Sequence, residues 1–110
     1  MSEKIDSESL AEIQMLEQNL HSISMQKQAF DFELSESEHA LEELENSDGE
    51  VFKIIGSVMI KSDKDSIKTE IEKKVKLLNL RLKAMDSQEK QLSERAEKIR
   101  EEFTKKKPSK

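Results

Sequence analysis

From Ile13, alternating steps of three and four residues meet Ile13, Leu16, Leu20, Ile23, Lys27, Phe30, Leu34, Ser37, Leu41 and Leu44. Eight of these ten are large and apolar, so the stretch carries a seam of period 3.5, the pattern by which one helix packs along another. A second seam runs through Ile71, Val75, Leu78, Leu82, Met85, Glu89, Leu92, Ala96, Ile99 and Phe103, broken only at Glu89. At ~1.5 Å per residue each seam is about 47 Å long. Lys27 and Ser37 interrupt the first seam, and a polar seam residue sets register or partner at some cost in stability.

Between the seams lies EVFKIIGSVMIKSD, residues 50–63, in which seven of fourteen side chains are large and apolar. Val51–Ile55 and Val58–Lys61 read as two short strands. Gly56-Ser57 stands where a two-residue turn belongs, and glycine at its first position fits type II′. Both faces of such a hairpin are apolar, with Phe52 and Ile54 on one side and Val51 and Ile55 on the other. A lone two-stranded hairpin is marginal in water and leaves both edges unpaired. The two helices are already committed to each other. The hairpin is therefore expected to pair with hairpins of other subunits, the alternative being that it folds back on the end of the helices.

The helix boundaries carry chemical markers. Asn46-Ser47-Asp48-Gly49 ends the first helix, with Gly49 placed to take a positive φ just past its end. Ser62-Asp63-Lys64-Asp65-Ser66 offers several capping oxygens ahead of the second. The expected organisation is a flexible N-terminus (1–9), a first helix (10–46), a β-hairpin (50–61), a second helix (64–104) and a basic tail (105–110). The fold class is mainly α: an antiparallel two-helix coiled coil with one short β-hairpin between the helices.

Charge supports antiparallel pairing. Residues 1–50 hold 2 Lys/Arg against 14 Asp/Glu, a net of −12, and residues 51–110 hold 17 against 10, a net of +7. Halves of opposite sign suit segments lying side by side. The basic half is interleaved with Glu and lacks a stacking aromatic, so nucleic acid is not expected as a partner. The composition, 39% charged and 4% aromatic with two Gly and one Pro, is that of long helices. There is no Cys, which excludes disulfides and thiolate sites and is compatible with a reducing compartment. MSEKIDSES has no apolar core for a signal peptide. No apolar run approaches the ~20 residues a membrane span needs. The expected location is cytoplasmic, without membrane contact.

Catalysis is not expected. Glu36-Ser37-Glu38-His39 contains one Glu-x-x-His, but a di-iron bundle needs a second and two further Glu. His21 follows Gln18 at that spacing. There is no phosphate-binding Gly loop and no pocket with a nucleophile and base. No cofactor or metal is called for.

Ile23-Ser24-Met25-Gln26-Lys27-Gln28, Ala40-Leu41-Glu42-Glu43-Leu44 and EVFKIIGSVMIKSDKDSI (50–67) together resemble archaeal prefoldin, specifically its β-class subunits, over about residues 10–103. The α class of that family carries two hairpins between its helices, and residues 45–66 hold one. The resemblance implies a hexamer of two α and four β subunits. Its hairpins join into β-barrels, and its coiled coils hold non-native proteins and pass them to a group II chaperonin without ATP. On that reading assembly rests on Val51, Phe52, Ile54, Ile55, Val58, Met59 and Ile60. Client capture falls to the coiled-coil tip, with Leu10, Ile13, Met15, Leu16, Ile99 and Phe103 as candidates. Ile13, Leu16 and Ile99 are equally seam residues. Leu10 and Met15 lie off the seam and are better placed. Lys105-Lys106-Lys107 is a candidate chaperonin contact or a solubilising tail. The alternative function is a coiled-coil scaffold or adaptor binding one folded partner.

Overall fold

The computed structural model describes the backbone of residues 2–106 and the side chains of residues 7–102. In chain order the elements are α1 (Ser2–Glu45), β1 (Val51–Ile55), β2 (Val58–Ser62) and α2 (Lys64–Lys106). α1 thus runs helically through residues 2–9, which the sequence assigns to a flexible N-terminus. The chain forms two compact units. One comprises the described residues of Met1–Gln28 and Lys83–Lys110, and the other is Ala29–Leu82.

Both units follow from the seams. In the first, Ile13, Leu16, Ile23, Met85, Ala96 and Ile99 are buried, with Leu20 and Leu92 partly so. Ile13, Leu16, Ala96 and Ile99 form one core cluster against which Leu92 packs. In the second, Leu44, Leu78 and Leu82 are buried together with the polar Ser37. Phe30, Leu34, Leu41, Ile71 and Val75 are partly buried there. Every described seam position is at least partly withdrawn from water. Contacts between α1 and α2 join residues far apart in sequence, Arg95 Nε to Glu12 at 2.9 Å and Lys74 to Glu33 at 3.5 Å, with Arg100 also pairing with Glu17. In each of these an acid on α1 meets a base on α2, as the charge asymmetry of the sequence requires.

Lys27 reverses that polarity. Its Nζ lies 2.6 Å from Asp86 and donates to Glu89 Oε1 at 2.8 Å. The polar breaks of the two seams therefore answer each other. A slip of one heptad would leave Lys27 facing Ala96 or Leu82 and Glu89 facing Leu34 or Leu20, two charges without partners. Hydrogen bonds from Lys27 to Asp86 and then to Glu89, with their charges, raise its pKa above the ordinary lysine value.

The helix ends and the turn are set locally. Asp63 caps α2: its Oδ2 accepts from the Ser66 N–H at 3.0 Å, and its carbonyl accepts the first helical bond from Ile67 at 3.0 Å. α1 closes differently from the sequence expectation. The Ser47 N–H reaches the Leu44 carbonyl at 3.2 Å, a tightened last turn, and Lys64 Nζ donates to the Ser47 carbonyl at 2.8 Å. Gly49 lies four residues beyond Glu45 and does not take a positive φ. The Asn46 and Ser47 N–H groups already meet the Glu42 and Leu44 carbonyls, so no left-handed cap is required at Gly49. Gly56 does, at φ 60°, and Ser57 does not. Positive φ at the first turn residue only is the II′ pattern, the hand that matches the twist of the strands.

Lys27→Met is expected to lower the thermal midpoint by stranding Glu89, and Lys27→Met with Glu89→Leu to recover most of the loss, a non-additivity read from a double-mutant cycle. Because the folded pKa of Lys27 is raised, its contribution is full below the ordinary value of about 10.4. It is lost only as pH climbs through the raised folded value. The stability gap between wild type and Lys27→Met should therefore stay constant from about pH 7 to about pH 9. Gly56→Ala should cost about 1–2 kcal/mol in hairpin formation, the left-handed penalty for an L-residue, visible as faster amide exchange in β1 and β2 with unchanged helicity.

Candidate functional site

β1 and β2 form a two-stranded antiparallel sheet whose pairs run Val51↔Ser62, Phe52↔Lys61, Lys53↔Ile60, Ile54↔Met59 and Ile55↔Val58. Directly opposed residues share a face. One face thus carries Phe52, Ile54, Met59 and Lys61, and the other Val51, Lys53, Ile55, Val58, Ile60 and Ser62. The second face is tied to α2 by Lys53, whose Nζ reaches the Glu70 carboxylate at 2.7 and 2.9 Å. Lys61 pairs with Glu50 at 3.1 Å. These ion pairs hold the hairpin without covering it. Phe52, Ile54, Ile55, Val58, Met59 and Ile60 are between 45% and 68% exposed, and Val51 is half-buried. Of the two arrangements open to the sequence, the chain adopts the one in which its own helices leave the hairpin bare.

Six clustered large apolar side chains, on a sheet whose outer edges are unpaired, are what an intersubunit β-interface requires. Apolar burial supplies the driving force, and the free N–H and C=O groups supply register. Lys53 and Lys61 each have an acid in reach, so adding strands would not strand their charges.

The candidate tip residues separate into two groups. Leu10 and Met15 are 50% and 62% exposed. Ile13, Leu16 and Ile99 belong to the core cluster described above, each 7% exposed or less. Of the two roles the sequence leaves open for them, client contact and seam packing, all three are packed in this structure, on seams that close against each other. The Phe103 side chain lies outside the described residues. So do the side chains of Lys105 and Lys106, whose backbone belongs to α2, and the whole of Lys107.

Sequence reasoning missed four further exposed apolar residues: Met25, Phe32, Leu77 and Leu80, at 50–68% exposure. The available signal was that each stands two residues past a seam position, which on a 3.5-residue repeat turns a side chain away from the partner helix. Glu36 and His39 are exposed on α1, as is His21. Among the described residues no group of three or more His, Asp or Glu is arranged to hold a metal ion. No helix there is long and apolar enough to cross a membrane.

Comparison with known proteins places this architecture. A family profile described as "Prefoldin subunit" matches residues 7–110. The prefoldin subunit beta of Thermococcus kodakarensis is 34% identical over 92 residues, covering 82% of this chain and 79% of that protein. The prefoldin subunit beta of Saccharolobus islandicus is 36% identical over 114 residues, covering 96% and 90%. The crystal structure of the prefoldin beta subunit from Thermococcus strain KS-1 superposes with a TM-score of 0.86 at 30% identity, covering 94% of this chain and 93% of that one. Two long helices joined by one exposed β-hairpin, with relatives of this extent, mean that the chain belongs to the prefoldin family as a β-class subunit.

Proposed function

We propose that this subunit acts as an ATP-independent chaperone component. It assembles with other prefoldin subunits through its hairpin, holds non-native proteins at the end of the coiled coil where residues 10–16 lie, and hands them to a group II chaperonin. The observation that carries the reading is the hairpin: six apolar side chains on two faces, at least 45% exposed, which the chain's own helices do not cover. Relatives named prefoldin subunit beta support the chaperone role. The finer composition proposed is two α-class and four β-class subunits, acting in the cytoplasm without a cofactor and without catalysis.

Assembly then draws on Val51, Phe52, Ile54, Ile55, Val58, Met59 and Ile60. Burying one such side chain is worth about 1.5–3 kcal/mol, and all seven lie on one hairpin. Capture draws on Leu10 and Met15, the apolar groups already facing water near the core cluster of Ile13 and Ile99. Methionine is unbranched and polarizable and adapts to varied partners. Phe103 joins this candidate surface, and Lys105, Lys106 and Lys107 are the candidate chaperonin contact.

Phe52→Asp with Ile60→Asp places one charge on each hairpin face. Helicity by circular dichroism should be retained, while native mass of the complex co-expressed with an α-class subunit falls to single chains or small species. An unchanged mass removes hairpin assembly from the reading. Leu10→Ser with Met15→Ser should leave that mass intact and weaken suppression of aggregation of several unrelated unfolded proteins. Undiminished suppression would move client capture away from these two residues.

A further inference from the structure

The hairpin joins the helices through two connections of unequal length. β1 follows α1 after five residues, whereas β2 runs into α2 through Asp63 alone. Asp63 is fixed on the helix side, since its Oδ2 accepts from the Ser66 N–H and its carbonyl from the Ile67 N–H, both at 3.0 Å. One anchored point does not set a direction. Lys53 supplies the second contact, its Nζ meeting both carboxylate oxygens of Glu70 at 2.7 and 2.9 Å. Among the described residues this is the only hydrogen bond or ion pair that joins a strand residue to a helix. Lys61 pairs with Glu50, which lies beside the hairpin's own base.

The three points form a triangle. Lys53 stands opposite Ile60, which lies three residues before Asp63, ~10 Å along the strand. Glu70 lies seven residues after Asp63, ~10 Å along the helix. The ion pair closes the third side as a brace across two arms of similar length. Burial agrees with it. The three strand residues partly withdrawn from water, Val51, Lys53 and Ser62, all belong to the face that carries Lys53. The face with Phe52, Ile54 and Met59 is exposed throughout. The side chains of Lys53 and Glu70 are themselves 41% and 59% exposed, so water and salt screen the pair. Such a brace biases the angle of the hairpin without locking it, and a single change of charge can reverse the bias.

We propose that Lys53 and Glu70 are positioning residues for assembly: their ion pair holds the hairpin at the angle that offers the Phe52, Ile54 and Met59 face to a neighbouring subunit. The inference rests on the reading of the hairpin as the assembly site and adds what sets its orientation. Only hairpins at that angle are competent to pair, so apparent affinity scales with the fraction held there. Every copy of this chain in an assembly carries the same brace, so a small loss in each copy compounds.

Two measurements on the full chain separate orientation from assembly. The chain has no Cys, so spin labels at Ser57→Cys on the turn and Lys76→Cys on α2 report the hairpin–helix distance by pulsed electron paramagnetic resonance, with labelled chain diluted into unlabelled. Glu70→Lys sets two like charges together. It should broaden the distance distribution and raise the concentration for half-assembly with an α-class subunit about tenfold. Helicity and amide exchange in β1 and β2 should be retained, because the ladder and the seams are untouched. Lys53→Glu with Glu70→Lys re-forms the pair in reverse and should restore both the narrow distribution and assembly. An unchanged distribution in Glu70→Lys overturns the brace. So does a double variant that fails to recover, or a broadened distribution with unchanged assembly. Assembly that survives Phe52→Asp with Ile60→Asp overturns instead the hairpin reading and the brace's part in it, while the distance distribution still reports the brace itself.

Discussion

The constraint on which everything else rests is that α1 and α2 spend their apolar stripes on each other. A two-helix pair has one seam per helix and no third element. Once Ile13, Leu16 and Ile23 have been buried with Met85, Ala96 and Ile99, and Leu44 and Leu78 have gone into the other unit, neither apolar seam is left free to cover β1 and β2. The hairpin could be made monomeric only by giving it polar faces. Instead it keeps Phe52, Ile54 and Met59 on one face and Ile55, Val58 and Ile60 on the other. The chain thereby concentrates its exposed apolar burden where strand edges also need partners, and one event of assembly can satisfy both deficits.

Charge organises what apolar packing leaves open. A seam of Leu and Ile tolerates parallel, antiparallel and slipped pairings alike, because the groups are interchangeable. The acidic first half and basic second half reject pairing of α1 with a like helix. The ion pairs Arg95–Glu12, Arg100–Glu17 and Lys74–Glu33 are individually worth little at the surface. Their value is collective, in setting which helix meets which. The Lys27 cluster adds register, since its two acids lie on α2 and its seam position has only one matching break.

Much of this was legible in the sequence because it is periodic. The positions of the 4-3 repeat identified the side chains withdrawn from water, and Gly56-Ser57 between β-branched runs identified the turn, whose φ values fit type II′. Three things were not legible. Whether Ile13, Leu16 and Ile99 stay packed depends on how well the last layers close, which depends on neighbours such as Ala96 and Leu92 and not on the repeat itself. The positive φ expected at Gly49 does not occur, because the Asn46 and Ser47 N–H groups already close the last turn on the Glu42 and Leu44 carbonyls, a local geometry that composition does not reveal. Met25, Phe32, Leu77 and Leu80 escaped notice because positions facing away from the partner helix carry no pairing constraint, so an apolar residue there breaks no pattern.

The two breaks in the first seam show how the same deviation serves opposite ends. Both Lys27 and Ser37 replace an apolar side chain at a position that faces α2. Lys27 is long, so it spans the seam and fills the position with charge, which forces acids onto the opposite helix and narrows the pairings available. Ser37 is short, so it forces nothing onto its partner and instead removes volume. With Ala29 and Ala40 beside it, the missing volume accumulates on one flank rather than in an enclosed cavity, where it would cost packing energy with nothing gained. The hollow opens to solvent beside Phe32, and its lining sets Lys74 beside Glu33 and Glu36, the same mixture of signs that runs along the rest of the pair.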